Sequence, residues 1–545
     1  MNDQLGTSPS LTPVSAPGNA PPVVHIYDTT LRDGSQGEGV SYTANDKLRI
    51  AQRLSALGVA YIEGGWPGSN PKDAEFFERA KNESWGASKI AAFGSTRRAN
   101  LAAKDDPNLQ ALLASGAPVC TIFGKTWTLH VTDVLRTTLD QNLVMIEESV
   151  RFLVDQGREV VFDAEHFFDG FRADPDYALA ALSAAKRGGA STLALCDTNG
   201  GSLPWQVEQV CATVREQLDM PFGIHAHDDT GCGVANSLAA VRAGASQVQG
   251  TINGVGERCG NANLSVIVPN LELKWGVRTL PDAKLKDLTE LSRFVAEIAN
   301  LSPNKGMAYV GRSAFAHKGG VHVAAMRRHV DSYQHIDPEV VGNVMRVVVS
   351  DLSGRGNVLS KAEELGVEVT QGAELEALNQ IKEAETRGLS YEGAEASVSL
   401  LLKRNADNYV PLFVVQDYQA MVGKRGGTEF VEATVRLRIG DAVVHTAGDG
   451  NGPVGALDSA LRKALSPHYP GLEQIHLADY KVRILDSDSG TGAITRVLID
   501  SRDAQGGWST VGASTNIIDA SMMALVDSFE FGLGRRQEAH KGRRP

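Results

Sequence analysis

EVVFDAEHFFDGFRADPDYALAALSAAKRGGASTLALCDTN, residues 159–199, decides the fold. It opens with an apolar, β-branched run that ends in Glu165 and His166. PDYALAALSAAKRGG follows at helical spacing, with glycine just past its end. A second apolar run then ends in Asp197, Thr198 and Asn199. Strand, helix and strand within about forty residues read as one βαβ unit.

The same unit recurs on both sides. Strand-like runs begin at residues 23, 59, 88, 118, 159, 191, 221 and 246. Helical patterns lie between them, such as NDKLRIAQRLSALG, stopped by Gly58, and QNLVMIEESVRFLVDQG. Eight strand–helix units over about 250 residues predict a (β/α)8 TIM barrel. A doubly wound open sheet is the competing topology. It would call for GxGxxG after the first strand, where this chain has DTTLRDG.

Polar residues gather at the ends of these runs rather than at their starts. Asp28 to Asp33 end the first, Glu63 the second, Lys125 the fourth, and His225 to Asp228 the seventh. In a barrel these ends ring one mouth, where active sites are built. The asymmetry argues for an enzyme.

Within HAHDDTG, His225 and His227 stand two apart and so face the same side of a strand. Asp33, after the first strand, adds a carboxylate, and Asn261, after the eighth, can add a carbonyl oxygen. Strand eight of a closed barrel lies between strands seven and one, so these four residues can meet around a divalent cation. Mixed nitrogen and oxygen ligands suit Zn²⁺, Mn²⁺ or Mg²⁺ and leave the choice open. The blander readings are packed histidines, a cap or ion pair for Asp33, and a helix N-cap for Asn261.

The rest of the composition narrows the field. The chain has 545 residues, enough for two or three domains, and 42% are hydrophobic. A net charge of −12 argues against a nucleic-acid partner. Five scattered cysteines argue against a disulfide framework and for a reducing, cytoplasmic setting. No apolar run nears the ~20 residues that span a membrane. Residues 1–22 lack the order of a signal peptide and read as a disordered tail, and 536–545 as a basic, solvated one.

Three motifs carry a resemblance: DTTLRDGSQ, HAHDDTG and GERCGNANL. They resemble the acyl-CoA-dependent keto-acid condensing enzymes, the isopropylmalate, homocitrate and citramalate synthases. FDAEHFFDGF, ALCDTNGG, VQGTINGVGERCGNANL and AFAHKGGVHVAAM look most like the branch that joins acetyl-CoA to pyruvate. The resemblance spans nearly the whole chain apart from the tails. It implies that Asp33, His225, His227 and Asn261 hold the cation, and that Arg32 polarises the keto oxygen. It further implies that Glu165 and Thr198 border the 2-oxo acid, and that His322 serves in acid–base chemistry, with His317 as the second candidate. Many members read His-x-Asp where this chain has His322-Val323-Ala324. The identity of the base therefore stays open. Claisen-type chemistry suits such a set, since a cation and a guanidinium stabilise developing oxyanion charge and a neutral imidazole can take a proton.

Beyond a barrel at 23–282, residues 283–410 predict helical linker subdomains and 411–535 an α+β regulatory domain. In the latter, EATVRLRIGDAVVHTAGDG with its helix is echoed by ITRVLIDSRDAQGGWSTVGAS with its helix, an internal repeat. GDGNGPVG reads as a tight turn before a phosphate loop. The resemblance makes this the regulatory domain, with isoleucine the first effector to try, and implies a homodimer. Isopropylmalate or homocitrate synthase remains open, because one methyl of pocket space is worth only ~1–3 kcal/mol. Hydroxymethylglutaryl-CoA lyase is disfavoured by the long C-terminal domain and by GERCGN. A non-catalytic amino-acid-sensing barrel is disfavoured by the intact ligand set.

Overall fold

A computed structural model describes Gly18 and residues 20–541, apart from 368, 370, 371, 407 and 408. The expected tail at 1–22 lies largely outside the described residues, as do 542–545. The chain divides into two compact units, 1–315 with 336–344, and 316–335 with 345–545.

The first unit is a closed barrel of eight parallel strands paired in chain order. They are β1 (His25–Asp28), β2 (Tyr61–Gly65), β3 (Lys89–Ser95), β4 (Val119–Lys125), β5 (Glu159–Glu165), β6 (Thr192–Asp197), β7 (Phe222–Ala226) and β8 (Gln247–Gly250). Closure comes from β8 beside β1, with Tyr27 opposite Gln249. Along each strand, alternate residues face opposite ways. Ile26, Ile62, Phe162, Ile224 and Val248 pack outward into the main core with the helices. Tyr27, Ala91, Val119, Val161 and Ala194 form a separate buried layer inside the barrel, with Tyr61 against it. That layer closes the lumen, so any site must lie above it, toward the strand ends.

The helix stops read from the sequence have a local cause. Thr43 and Asp46 form a capping box at the start of Ala44–Leu57, and Gly58 ends that helix at φ 94°. Asp174 caps Pro175–Gly188, which Gly189 ends at φ 97°. The first unit extends past residue 282: helix Leu288–Ile298 buries Leu288, Leu291 and Val295 in the barrel core. No helix among the described residues is long and apolar enough to cross a membrane.

The second unit begins with a two-stranded parallel ladder, β9 (Ala316–His317) and β10 (Arg346–Val347). Arg355 starts the helix Arg355–Glu364 and pairs with Glu374. Two antiparallel sheets follow. The first holds β11 (Val414–Arg425), β12 (Thr428–Ile439) and β13 (Ala442–Asp449), and the second β14 (His476–Ile484), β15 (Thr495–Asp503) and β16 (Gly506–Ser514). Each sheet leads into a helix, Pro453–Leu465 or Ile517–Lys541, and both share one core. Each repeat thus has three strands, one more than the sequence shows. The added strands carry matching bulges, at Gln416 and Ala478, which extends the repeat. GDGNGPVG is the turn into Pro453–Leu465. The last helix also takes in residues 536–541, read as tail, where Arg536 reaches Gln474 at 2.8 Å.

Candidate active site

The loop after β1 folds back onto Thr29, whose carbonyl accepts from Gly34 N (3.0 Å) and whose hydroxyl accepts from Asp33 N (3.3 Å). This turn buries Asp33 at the barrel mouth. His225 on β7 and His227 just past its end lie on the inner side, and both are buried. Nε2 of His225 lies 3.1 Å from Asp33 Oδ2, Nε2 of His227 lies 3.7 Å from the same oxygen, and the two nitrogens are 3.4 Å apart. Three ligand atoms therefore converge. Asn261 is bridged to His227 through the backbone, and its buried Oδ1 has no hydrogen-bond partner among the described residues. An orphaned buried carbonyl is costly unless something charged or polar completes it. Two imidazole nitrogens, a carboxylate and this carbonyl fit a divalent cation.

The loop after β8 is shaped for that carbonyl. Gly256 has no side chain where a Cβ would stand 2.2 Å from Asn261 Nδ2, and Gly260 sits at φ 97°. The helix after Asn261 is capped instead by Asn263, whose side chain accepts from Ser265 N.

Charge in the mouth is tightly coupled. Burial opposes ionisation of Asp33, but Arg32 and both imidazoles outweigh it and hold its pKa well below the usual carboxylate range. Burial likewise opposes charge on His225, yet its bond to Asp33 raises its pKa. Burial and then His225 depress His227 to about 4.

Arg32 is aimed from two sides. Its Nε donates to Glu63 Oε2 (2.7 Å), and its guanidinium lies 3.7 Å over the Phe93 ring. Glu63 is fully buried and also accepts from Tyr27 OH (2.6 Å) and Thr29 Oγ1. Phe93 stacks on Phe123, and Trp66 meets both edge-on. On the other side of the mouth, Glu165 pairs with Lys125. Thr198 Oγ1 accepts from His166 N (2.8 Å), so its own O–H is left to donate. His166 packs against His130 with ring centroids 4.3 Å apart.

Residues 23–295 match the HMGL-like family, residues 309–388 the homocitrate synthase post-HMGL domain-like family, and residues 392–533 the LeuA allosteric (dimerisation) domain. The (R)-citramalate synthase of Geobacter sulfurreducens is 52% identical over 520 residues, 95% of this chain and 98% of its own. That of Aquifex aeolicus is 52% identical over 520 residues, 94% of this chain and 98% of its own. The chain belongs to the citramalate synthase branch of the HMGL-like family. A probable 2-isopropylmalate synthase of Methanopyrus kandleri is more distant, at 32% identity over 93% of this chain and 97% of its own.

For this citramalate synthase family member, Arg32, Asp33, Glu165, Thr198, His225, His227 and Asn261 all lie at or beyond the C-terminal ends of barrel strands. His317 and His322 belong to the second unit. There His322 stacks on Tyr333, ring centroids 4.2 Å apart, and His317 Nε2 is buried without a partner among the described residues. Glu63, Asp163 and Gln249 were not singled out as site residues from the sequence. Each stands at an inward position of its strand, Glu63 on β2, Asp163 on β5 and Gln249 on β8, and a polar residue at inward parity is the signal that could have found them.

Proposed function

We propose that the protein condenses acetyl-CoA with pyruvate and hydrolyses the thioester, giving (R)-citramalate and CoA on the route to isoleucine through 2-oxobutanoate. The observation that carries this is the convergence of Asp33, His225 and His227 on one point beside Arg32, in a chain half identical to citramalate synthases over nearly its full length. Asp33, His225, His227 and Asn261 would hold the cation, be it Mn²⁺, Mg²⁺ or Zn²⁺. When bound, it supplies Lewis acidity toward the keto and carboxylate oxygens of the 2-oxo acid.

The chain's own groups do the rest. Arg32, fixed by Glu63 and Phe93, steadies negative charge as it develops on the keto oxygen. Thr198 offers its O–H to the substrate carboxylate, and Glu165 borders the same acid. The acetyl methyl must lose a proton before its carbon attacks, a task for His322 or His317. Burial and then His322 lower the pKa of His317, which favours the neutral imidazole a base requires.

We further propose a cytoplasmic homodimer assembled through residues 392–533, with isoleucine as the effector read by that domain. Light scattering and inhibition titrations test the assembly and the effector. The reaction is tested by free CoA release, with divalent metal and acetyl-CoA against pyruvate, 2-oxobutyrate, 2-oxoisovalerate and 2-oxoglutarate in turn. Turnover fastest with pyruvate is expected. Faster turnover with 2-oxoisovalerate would overturn the substrate, and no thiol release with any acid would overturn the enzyme.

A further inference from the structure

Behind His225 runs a chain of hydrogen bonds with a fixed direction. Gln249 on β8 stands directly opposite His225 on β7 and is wholly buried. Its Oε1 lies 2.9 Å from His225 Nδ1. Its Nε2 donates to Asp163 Oδ1 at 2.9 Å, and Gln247 Oε1 lies 3.5 Å from the same nitrogen. Asp163 comes from β5, which is not a neighbour of β8, so the amide spans the barrel interior.

The direction matters because an amide has two unlike ends. Asp163 presents an acceptor to Gln249, so the NH₂ end turns toward it and the carbonyl end toward His225. A carbonyl can only accept, which places the ring proton of His225 on Nδ1. In the neutral ring Nε2, the nitrogen facing Asp33, then carries the lone pair for a cation. A reversed amide would offer N–H to Nδ1, drive the ring proton to Nε2 and block the ligand position.

We infer that Asp163, acting through Gln249, sets the tautomer of His225 and so positions a ligand of the cation site. Neither residue touches the ion; both are positioning residues. This rests on the cation reading above, and the test separates the two.

The full-length chain, stripped with chelator, is titrated calorimetrically with Mn²⁺ and with Zn²⁺. Asp163→Asn supplies an N–H of its own and releases the amide to reverse. Its metal affinity is expected to fall 10- to 100-fold, the range for partners one step behind a ligand. Adding Gln249→Glu to Asp163→Asn restores the polarity. The carboxylate so introduced on β8 can only accept, from the new amide on β5 at one end and from His225 Nδ1 at the other. Affinity is expected to return toward the parent value, which a merely structural loss would not allow. Circular dichroism of the metal-free variants checks folding. Where Asp163→Asn fails to fold, Gln249→Met, similar in volume but without the acceptor, carries the test with the same expected loss. Parent-like affinity in whichever single variant folds overturns the relay, and so does a folded double variant that does not recover. A parent chain that binds neither cation overturns the metal reading and the relay with it.

Discussion

Replacing Glu63 by glutamine tests whether this residue aims Arg32. Its two oxygens serve three donors: Tyr27 OH on one, Thr29 Oγ1 and Arg32 Nε on the other. Glutamine keeps one oxygen. With that oxygen toward Arg32 and Thr29, its NH₂ meets Tyr27, which can turn its own proton toward Thr121 Oγ1 at 2.7 Å. Hydrogen-bond geometry is thus largely kept, and the charge is lost. Arg32 keeps its own charge but loses the opposing one, and the Thr29 bond turns neutral, which at ~0.5–1.5 against ~1.5–3 kcal/mol loses about 1–2 kcal/mol. Glu63→Ala leaves Arg32 without that partner and is expected to cost more, about 3–5 kcal/mol. Released from Glu63, the guanidinium is drawn toward Asp33, already 3.5 Å from its Nη1. A displacement of that kind, about 1 Å, costs on the order of 10²-fold in turnover. The assay is kcat at saturating metal and both substrates, with calorimetric metal affinity and a thermal melt on the same samples. The expected pattern is a kcat loss in Glu63→Gln, larger in Glu63→Ala, with a smaller change in metal affinity, since Glu63 bonds to neither histidine and acts on Asp33 only through Arg32. A Gln variant with the parent's kcat would show that Glu63 does not aim Arg32.

Three further outcomes are expected. Chelation should lower the melting transition of the barrel unit and leave that of the second unit in place; at a hundredfold excess over Kd the stabilisation withdrawn is about 2.7 kcal/mol, and Asp33→Asn should remove the response. Gly256→Ala should weaken metal binding more than it lowers the melting temperature, because its Cβ displaces the Asn261 amide; calorimetry beside a melt reads both. Burial pushes Asp28 up to about 7, above its unfolded value, so this carboxyl costs stability as pH rises from about 4 to 7, by on the order of 4 kcal/mol. Asp28→Asn, which keeps the acceptor for Thr30 N, should therefore melt increasingly above the parent from pH 5 to 8, and a gap independent of pH would contradict this.

What the sequence made legible was whatever repeats locally. Apolar runs separated by capped helices gave the barrel, because each unit announces itself within forty residues, and Gly58 and Gly189 stop helices for a reason visible in the residue itself. His225 and His227 were readable from strand parity alone. β14 was not: nearly all its residues are exposed, so no alternation of apolar and polar marks it. Glu63 and Gln249 escaped for another reason. Arg32 and His225, the groups they act on, lie 31 and 24 residues away, and inward parity marks a position without naming its partner. The roles of His317 and His322 came from family likeness, and no spacing in their own segment distinguishes a base from a packed ring.

Charge explains why these polar groups belong together. Asp28, Asp33, Glu63 and Asp163 are all buried at the mouth end of the barrel, and Arg32 is the guanidinium set among them. Glu63 lies close enough to raise the pKa of both Asp28 and Asp163, after burial itself. Four carboxyls around one fixed cation are a poor arrangement for a barrel that merely has to fold, since apolar residues of equal volume would fill the same space without the desolvation cost. The excess becomes sensible once the mouth is built to receive positive charge. In the proposed function Asp33 and two imidazoles would supply the grip, Glu63 would hold Arg32 away from Asp33, and Asp163 stands behind Gln249. On that proposal the buried negative charge would be divided between gripping a cation and aiming Arg32 and His225 at one keto acid.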